Sequence, residues 1–94
     1  MNAEPVSAFV FTAHARFEMS RRRLSEETVR AVLEAPQQRW ELRPGRHVLQ
    51  SKVTMDEPAQ TYVVRVFVDV DRDPNEVVTA YRSSKVARYW RQAP

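Results

Sequence analysis

The hydrophobic positions of this chain change period once, at Pro36. Before it they recur every three or four residues, the spacing of a helix face; after it they alternate, the spacing of a strand. Thr12 opens the first helical stretch, as a side chain able to accept a hydrogen bond from a free first-turn amide. Behind it Ala15 and Met19 share one face, and Ala13 and Phe17 another. His14, Glu18 and Arg22 make a third row at the same i, i+4 spacing. The stretch closes on Arg21, Arg22 and Arg23. Ser25 then caps a second helix, with Glu26 and Glu27 in the first turn where the macrodipole favours acids and Leu24 stapled onto Val29. Val29, Val32 and Leu33 form its core stripe, and Pro36 stops it.

The alternating half reads as strands. Residues 38–42 put Trp40 and Leu42 on one face, and Pro44-Gly45 suits the centre of a type II turn. Residues 47–54 set His47, Leu49, Ser51 and Val53 against Val48, Gln50 and Lys52. A long strand over 61–70 turns Tyr62, Val64, Val66, Val68 and Val70 one way. Thr61, Val63, Arg65, Phe67 and Asp69 face the other, a side mixed enough to be partly solvated or to line a site. The run 71–75 is a turn, and 76–82 a further strand with Val78 and Ala80 opposite Val77, Thr79 and Tyr81. A helical turn through Val86, Tyr89 and Trp90, capped by Ser83 or Ser84, ends the pattern. Residues 8–11 are a first strand or an apolar lead into the helix, and residues 1–7 a loose terminus. The pattern predicts one α+β domain over residues 1–94: two N-terminal helices packed on one face of a four-stranded antiparallel sheet, five-stranded if residues 8–11 join it, and a short C-terminal helix.

Composition narrows the function classes. With no cysteine there is no disulfide framework, thiolate zinc site or thiol nucleophile, which fits a reducing cytoplasm. No secretory signal or membrane-length apolar run is present, so the expectation is a cytoplasmic protein without a membrane partner. Fifteen basic residues face twelve acidic ones. Only Lys52 and Lys85 are lysines, so thirteen of the fifteen are arginine, the planar fork that suits phosphate and carboxylate; GC-rich coding also favours arginine. The charges are unevenly spread. Arg16, Arg21, Arg22 and Arg23 accompany a single acid, Glu18, in the first helix, and Arg82, Lys85, Arg88 and Arg91 follow Val77 with no acid among them.

Two runs carry a resemblance to a known family. Thr12-x-His14-Ala15-x-x-x-Met19-x-x-Arg22-x-Leu24-Ser25 is one, and Val78-Thr79-Ala80-Tyr81-Arg82-Ser83-Ser84-Lys85-x-x-x-Tyr89-Trp90 the other. Together they resemble the family called domain of unknown function 4258 over nearly the whole chain. Glu18 stands where that pattern usually has arginine, and Arg23 where it usually has glycine. The resemblance implies the compact two-helix-plus-sheet fold of RelE- and BrnT-type ribonuclease toxins, with RNA as substrate and a cognate antitoxin as partner.

RNA cleavage on such a fold needs no metal or cofactor: a base takes the 2′-hydroxyl proton, an acid protonates the leaving oxygen, and cations hold the phosphate. The catalytic candidates are His14, which titrates near neutrality, with Tyr81 and Lys85. Arg22, Arg65 and Arg82 are the nucleic-acid-binding arginines, and Tyr89 a base-stacking ring. Arg65 stands out because it interrupts an apolar strand, where a charge needs a partner or water. Each has a structural alternative: His14 packed on the sheet, Arg65 on a solvated face, the tyrosines at a core edge. At the level of the whole chain, the alternative is a non-catalytic RelE-like module that binds protein or nucleic acid.

Overall fold

The computed structural model describes residues 2–92. In chain order its elements are β1 (Phe9–Phe11), α1 (Ala13–Arg21), α2 (Glu26–Glu34), β2 (Gln38–Arg43), β3 (Arg46–Met55), β4 (Gln60–Asp69), β5 (Asn75–Ser83) and α3 (Val86–Tyr89). They form an α+β arrangement whose five-stranded sheet has the order β1-β5-β4-β3-β2.

Strands β2 to β5 are an antiparallel meander, but β1 joins β5 in parallel, with Phe9 opposite Asn75 and Phe11 opposite Val77. The sheet is therefore mixed, which corrects the expectation of a wholly antiparallel one. Hairpins fix the direction of the last four strands, whereas β1 reaches the free edge of β5 from the other end of the chain and no hairpin sets its sense.

The helix ends follow local chemistry. Thr12 accepts from the Ala15 amide at 3.0 Å and Ser25 from the Thr28 amide at 3.1 Å, so both N-caps act as their residue types dictate. At the far end of α1 the Leu24 amide donates to the Met19 carbonyl at 2.8 Å and the Arg23 amide to Ser20 at 3.2 Å. That is a Schellman closure, and it holds Arg23 in the left-handed region at φ 56°.

One core lies between the helices and the sheet. Ala15, Met19, Leu24, Val29, Val32 and Leu33 pack against Leu49, Val64, Val66, Val68, Val77 and Ala80. In β5 the pairing passes from Val68–Val77 to Phe67–Thr79, so Val78 is an extra residue in a bulge. Strict alternation fails there, and Val77 and Ala80 share the buried face instead of opposing one another. The segment before β1 also differs from a loose terminus. The Val6 amide donates to Leu33 at 2.9 Å and the Ala3 amide to Pro36 at 2.7 Å, while Val6 itself sits in the core. An apolar side chain within reach of the α2 end is enough to dock this stretch; Met1 lies outside the described residues. Among those residues no helix is long and apolar enough to cross a membrane.

Candidate functional site

The sheet face turned away from α1 and α2 carries the site. Register puts Gln38, Gln50, Arg65 and Tyr81 side by side across β2, β3, β4 and β5. Same-face neighbours at this spacing meet directly, and here they form a continuous polar ladder. Gln50 Nε2 donates to Gln38 Oε1 at 2.6 Å, Arg65 Nε to Gln50 Oε1 at 2.9 Å, and Arg65 Nη1 to the Tyr81 hydroxyl at 2.6 Å. Gln50 is fully buried, so its amide is oriented by these partners and not by water.

Arg65 is the centre of this ladder. Its guanidinium carbon lies 4.6 Å from the Tyr89 ring centre, 5.3 Å from Phe67, 5.7 Å from Tyr81 and 5.9 Å from Trp40. Such contacts are each worth roughly 0.5–2 kcal/mol and offset part of the cost of removing the cation from bulk water. The rings also order one another: Phe67 stacks on Tyr81 at 5.8 Å and Tyr89 meets Tyr81 edge-on at 6.0 Å. Among the described residues no carboxylate pairs with Arg65. Its Nη2 has no protein acceptor among them, and no buried side-chain nitrogen is left unpaired, so that edge stays open to solvent or ligand.

Further cations flank the ladder. Arg22, at the C-cap of α1, reaches past the β5 edge to place its guanidinium 5.4 Å from the Tyr81 ring centre. Lys52 lies over Trp90 at 4.4 Å, Arg88 over Tyr89 at 5.6 Å and Arg91 over Trp40 at 3.9 Å. Two acids near this region are ion-paired, while a third, Glu76, lies opposite Asp69 across β4 and β5 and makes no described side-chain hydrogen bond or ion pair. Asp69, on the same strand face, is held by Arg46 through bonds of 2.7 and 3.1 Å. Those bonds keep its carboxyl below the usual carboxylate range, with partial burial opposing them. Glu18 takes Arg21 at 2.9 Å and Arg22 at 3.4 Å. Its carboxyl is held low first by the Arg21 bond and then, against some desolvation, by Arg22.

Of the residues expected from the sequence, Arg22, Arg65, Tyr81 and Tyr89 come together here. Arg82 does not join them. As the next residue after Tyr81 it points to the opposite face, where Asp56 accepts its Nη1 at 3.0 Å and the Tyr62 ring lies 4.7 Å beneath it. Lys85 is exposed at the start of α3, and its side chain hydrogen-bonds no described residue. His14 is exposed on α1 and equally without a side-chain bond among the described residues, so it is not packed on the sheet. It stands two helical turns, about 12 Å along the axis, from Arg22.

Three members of the site carry no chemical signature in the sequence: Gln38, Gln50 and the ring of Trp40. Neutral amides and a tryptophan read as strand filling. The one available signal was that Gln50 and Arg65 both break the apolar pattern of their strands, and only the register makes them neighbours.

The family described as Domain of unknown function (DUF4258) matches residues 11–82, and the chain belongs to that family. The matched span runs from the end of β1 to Arg82, so it includes Arg22, Gln38, Gln50, Arg65 and Tyr81 and stops before α3. No curated protein and no solved structure matches the chain.

Proposed function

We propose that the protein binds single-stranded RNA on the Arg65 face and acts on it in the manner of RelE- and BrnT-type ribonuclease toxins, by metal-independent acid-base chemistry on the same kind of fold. The observation that carries this reading is Arg65: a half-buried guanidinium ringed by four aromatic side chains, with no carboxylate among the described residues to neutralise it. A phosphodiester would supply the missing charge and leave the rings to stack on bases, the combination that single-stranded nucleic-acid sites use. In the cleavage step the 2′-oxygen attacks phosphorus and gives up its proton to a base, and the 5′-oxygen leaves with a proton from an acid. Tyr81, whose hydroxyl lies 2.6 Å from Arg65 Nη1, is the group best positioned for one of these transfers. Arg65 and Arg22 would stabilise the charge that builds on the phosphoryl oxygens. A cognate antitoxin is the partner this reading implies.

The second reading is a non-catalytic module that binds RNA on this face and leaves it intact. It is favoured by the position of His14 and Lys85 outside the ladder, which leaves no imidazole, amine or free carboxylate among the described residues hydrogen-bonded to the Arg65–Tyr81 pair. Induced expression in a bacterial host separates the two. Growth arrest with RNA degradation, relieved by Tyr81→Phe, supports cleavage, and a parallel His14→Ala strain tells whether the imidazole supplies the second proton transfer. Full growth at high expression, with the purified protein still binding RNA, supports the module.

A further inference from the structure

After α3 the chain runs back across the sheet, and the way it is held describes a second ligand. The main chain of Arg91 is gripped at two points by one side chain: Gln38 Nε2 donates to the Arg91 carbonyl at 2.7 Å, and Gln38 Oε1 accepts from the Arg91 amide at 3.2 Å. Its guanidinium meanwhile lies 3.9 Å from the centre of the Trp40 ring. A glutamine offering a donor and an acceptor in parallel, next to a half-buried aromatic ring, is the arrangement that reads a nucleobase edge while the base stacks.

Gln38 is held in this pose from behind. The buried Gln50 amide donates to Gln38 Oε1 at 2.6 Å and is itself fixed by Arg65. The edge-reading amide is thus rigidly linked to the phosphate-binding cation. A cleft of about 560 Å³ opens beside Gln38, Trp40, Trp90 and Arg91, within the size range of small-molecule sites. The present occupant is weakly tied: Arg91 and Gln92 are exposed, lie outside any helix or strand, and have no described hydrogen bonds except those to Gln38.

We propose that Gln38 and Trp40 form a nucleobase slot, filled in the free protein by the chain's own Arg91, which a base of single-stranded RNA displaces. This rests on the RNA-binding reading of the Arg65 face and adds to it a base subsite and a built-in competitor. Arg91's backbone supplies the donor and acceptor that the base edge replaces, and its guanidinium plane occupies the stacking position.

The test uses the full chain carrying Trp90→Phe, so that Trp40 is the sole indole. Trp40 emission and RNA affinity are followed on titration with a short single-stranded oligoribonucleotide and with an abasic strand of equal length. The slot predicts quenching by the base-bearing strand alone and, for that strand only, a loss of about tenfold in affinity on Gln38→Ala. Arg91→Pro, compatible with the extended backbone of Trp90 and lacking both the amide donor and the guanidinium, should tighten base-bearing RNA about fivefold. Equal affinity for both strands, abolished by Arg65→Met but indifferent to Gln38→Ala, would overturn the slot and leave the phosphate site standing. Weaker binding by Arg91→Pro would overturn the role of Arg91 as competitor. Failure of both strands to bind would remove the RNA reading together with the slot.

Discussion

Arg23→Gly should make the protein more stable. Arg23 closes α1 at φ 56°, and its amide and that of Leu24 satisfy the last free carbonyls of the helix. Met19 and Leu24, buried to 2% and 4% exposure, complete the apolar contact that accompanies this closure, so the bend is fixed by packing and not by Arg23. An L-residue in that region costs about 1–2 kcal/mol, because its Cβ crowds the following carbonyl. Glycine avoids that cost but gains freedom in the unfolded chain worth roughly 0.5–1 kcal/mol. The Arg23 side chain is exposed and makes no hydrogen bond or ion pair with a described residue; its long-range pull on Asp56 is a solvent-screened surface interaction. The net expectation is a gain of about 0.5–1 kcal/mol, or roughly 3–6 °C in Tm for a domain of this size. Thermal unfolding followed by far-UV circular dichroism measures it, with Arg23→Ala as control because it removes the charge and keeps the strain. If glycine proves no more stable than alanine, the backbone conformation at Arg23 carries no strain and the reasoning fails.

Two further outcomes are expected. Glu18→Gln removes the carboxylate shared by Arg21 and Arg22, so RNA affinity at low salt should rise severalfold; the slope of log affinity against log salt should steepen by about 0.7 for each additional phosphate neutralised. Unchanged affinity and slope would mean that Arg22 does not face the RNA. Asp69 has its carboxyl held below the ordinary value by Arg46, so the folded state binds that proton less readily than the unfolded one. Its stabilisation is therefore complete above the ordinary carboxylate value and is lost progressively as pH falls from there through the depressed folded value. Asp69→Asn should narrow the stability gap between pH 6 and pH 3, read as urea midpoints, and an identical pH profile would show the pair to be irrelevant to acid stability.

How much of this was legible in the sequence differs between helices and sheet. Thr12 and Ser25 act locally, through amides three residues on, so the helix starts could be read directly. The long strands followed from alternation, and the mixed outer face of β4 already pointed to Arg65. Two features were not legible because they depend on distant partners. The direction of β1 is set by which sheet edge it reaches, and the bulge at Val78 shifts the pairing with β4. The site was hidden for the same reason. Arg82 looked as suitable for phosphate as Arg65, but one step along a strand turns it to Asp56 on the other face. Gln38 and Gln50 acquire meaning only from the register that lines them up with Arg65. Loud charge in the sequence, the Arg21–Arg22–Arg23 run, contributed one side chain to the site, since a helix spreads consecutive residues around its axis and only Arg22 faces Tyr81.

If Arg65 is an anion-binding centre and not merely a packing residue, its charge carries much of the affinity for RNA. The decisive measurement is the affinity of the purified protein for a short single-stranded RNA at two salt concentrations, with Arg65→Met compared with wild type and both verified as folded by circular dichroism. Methionine keeps much of the side-chain length among the four rings and removes the charge. The expected result is a loss of at least about tenfold in affinity and a shallower salt dependence for the variant. A folded Arg65→Met protein that binds RNA as tightly as wild type, with the same salt dependence, would contradict it.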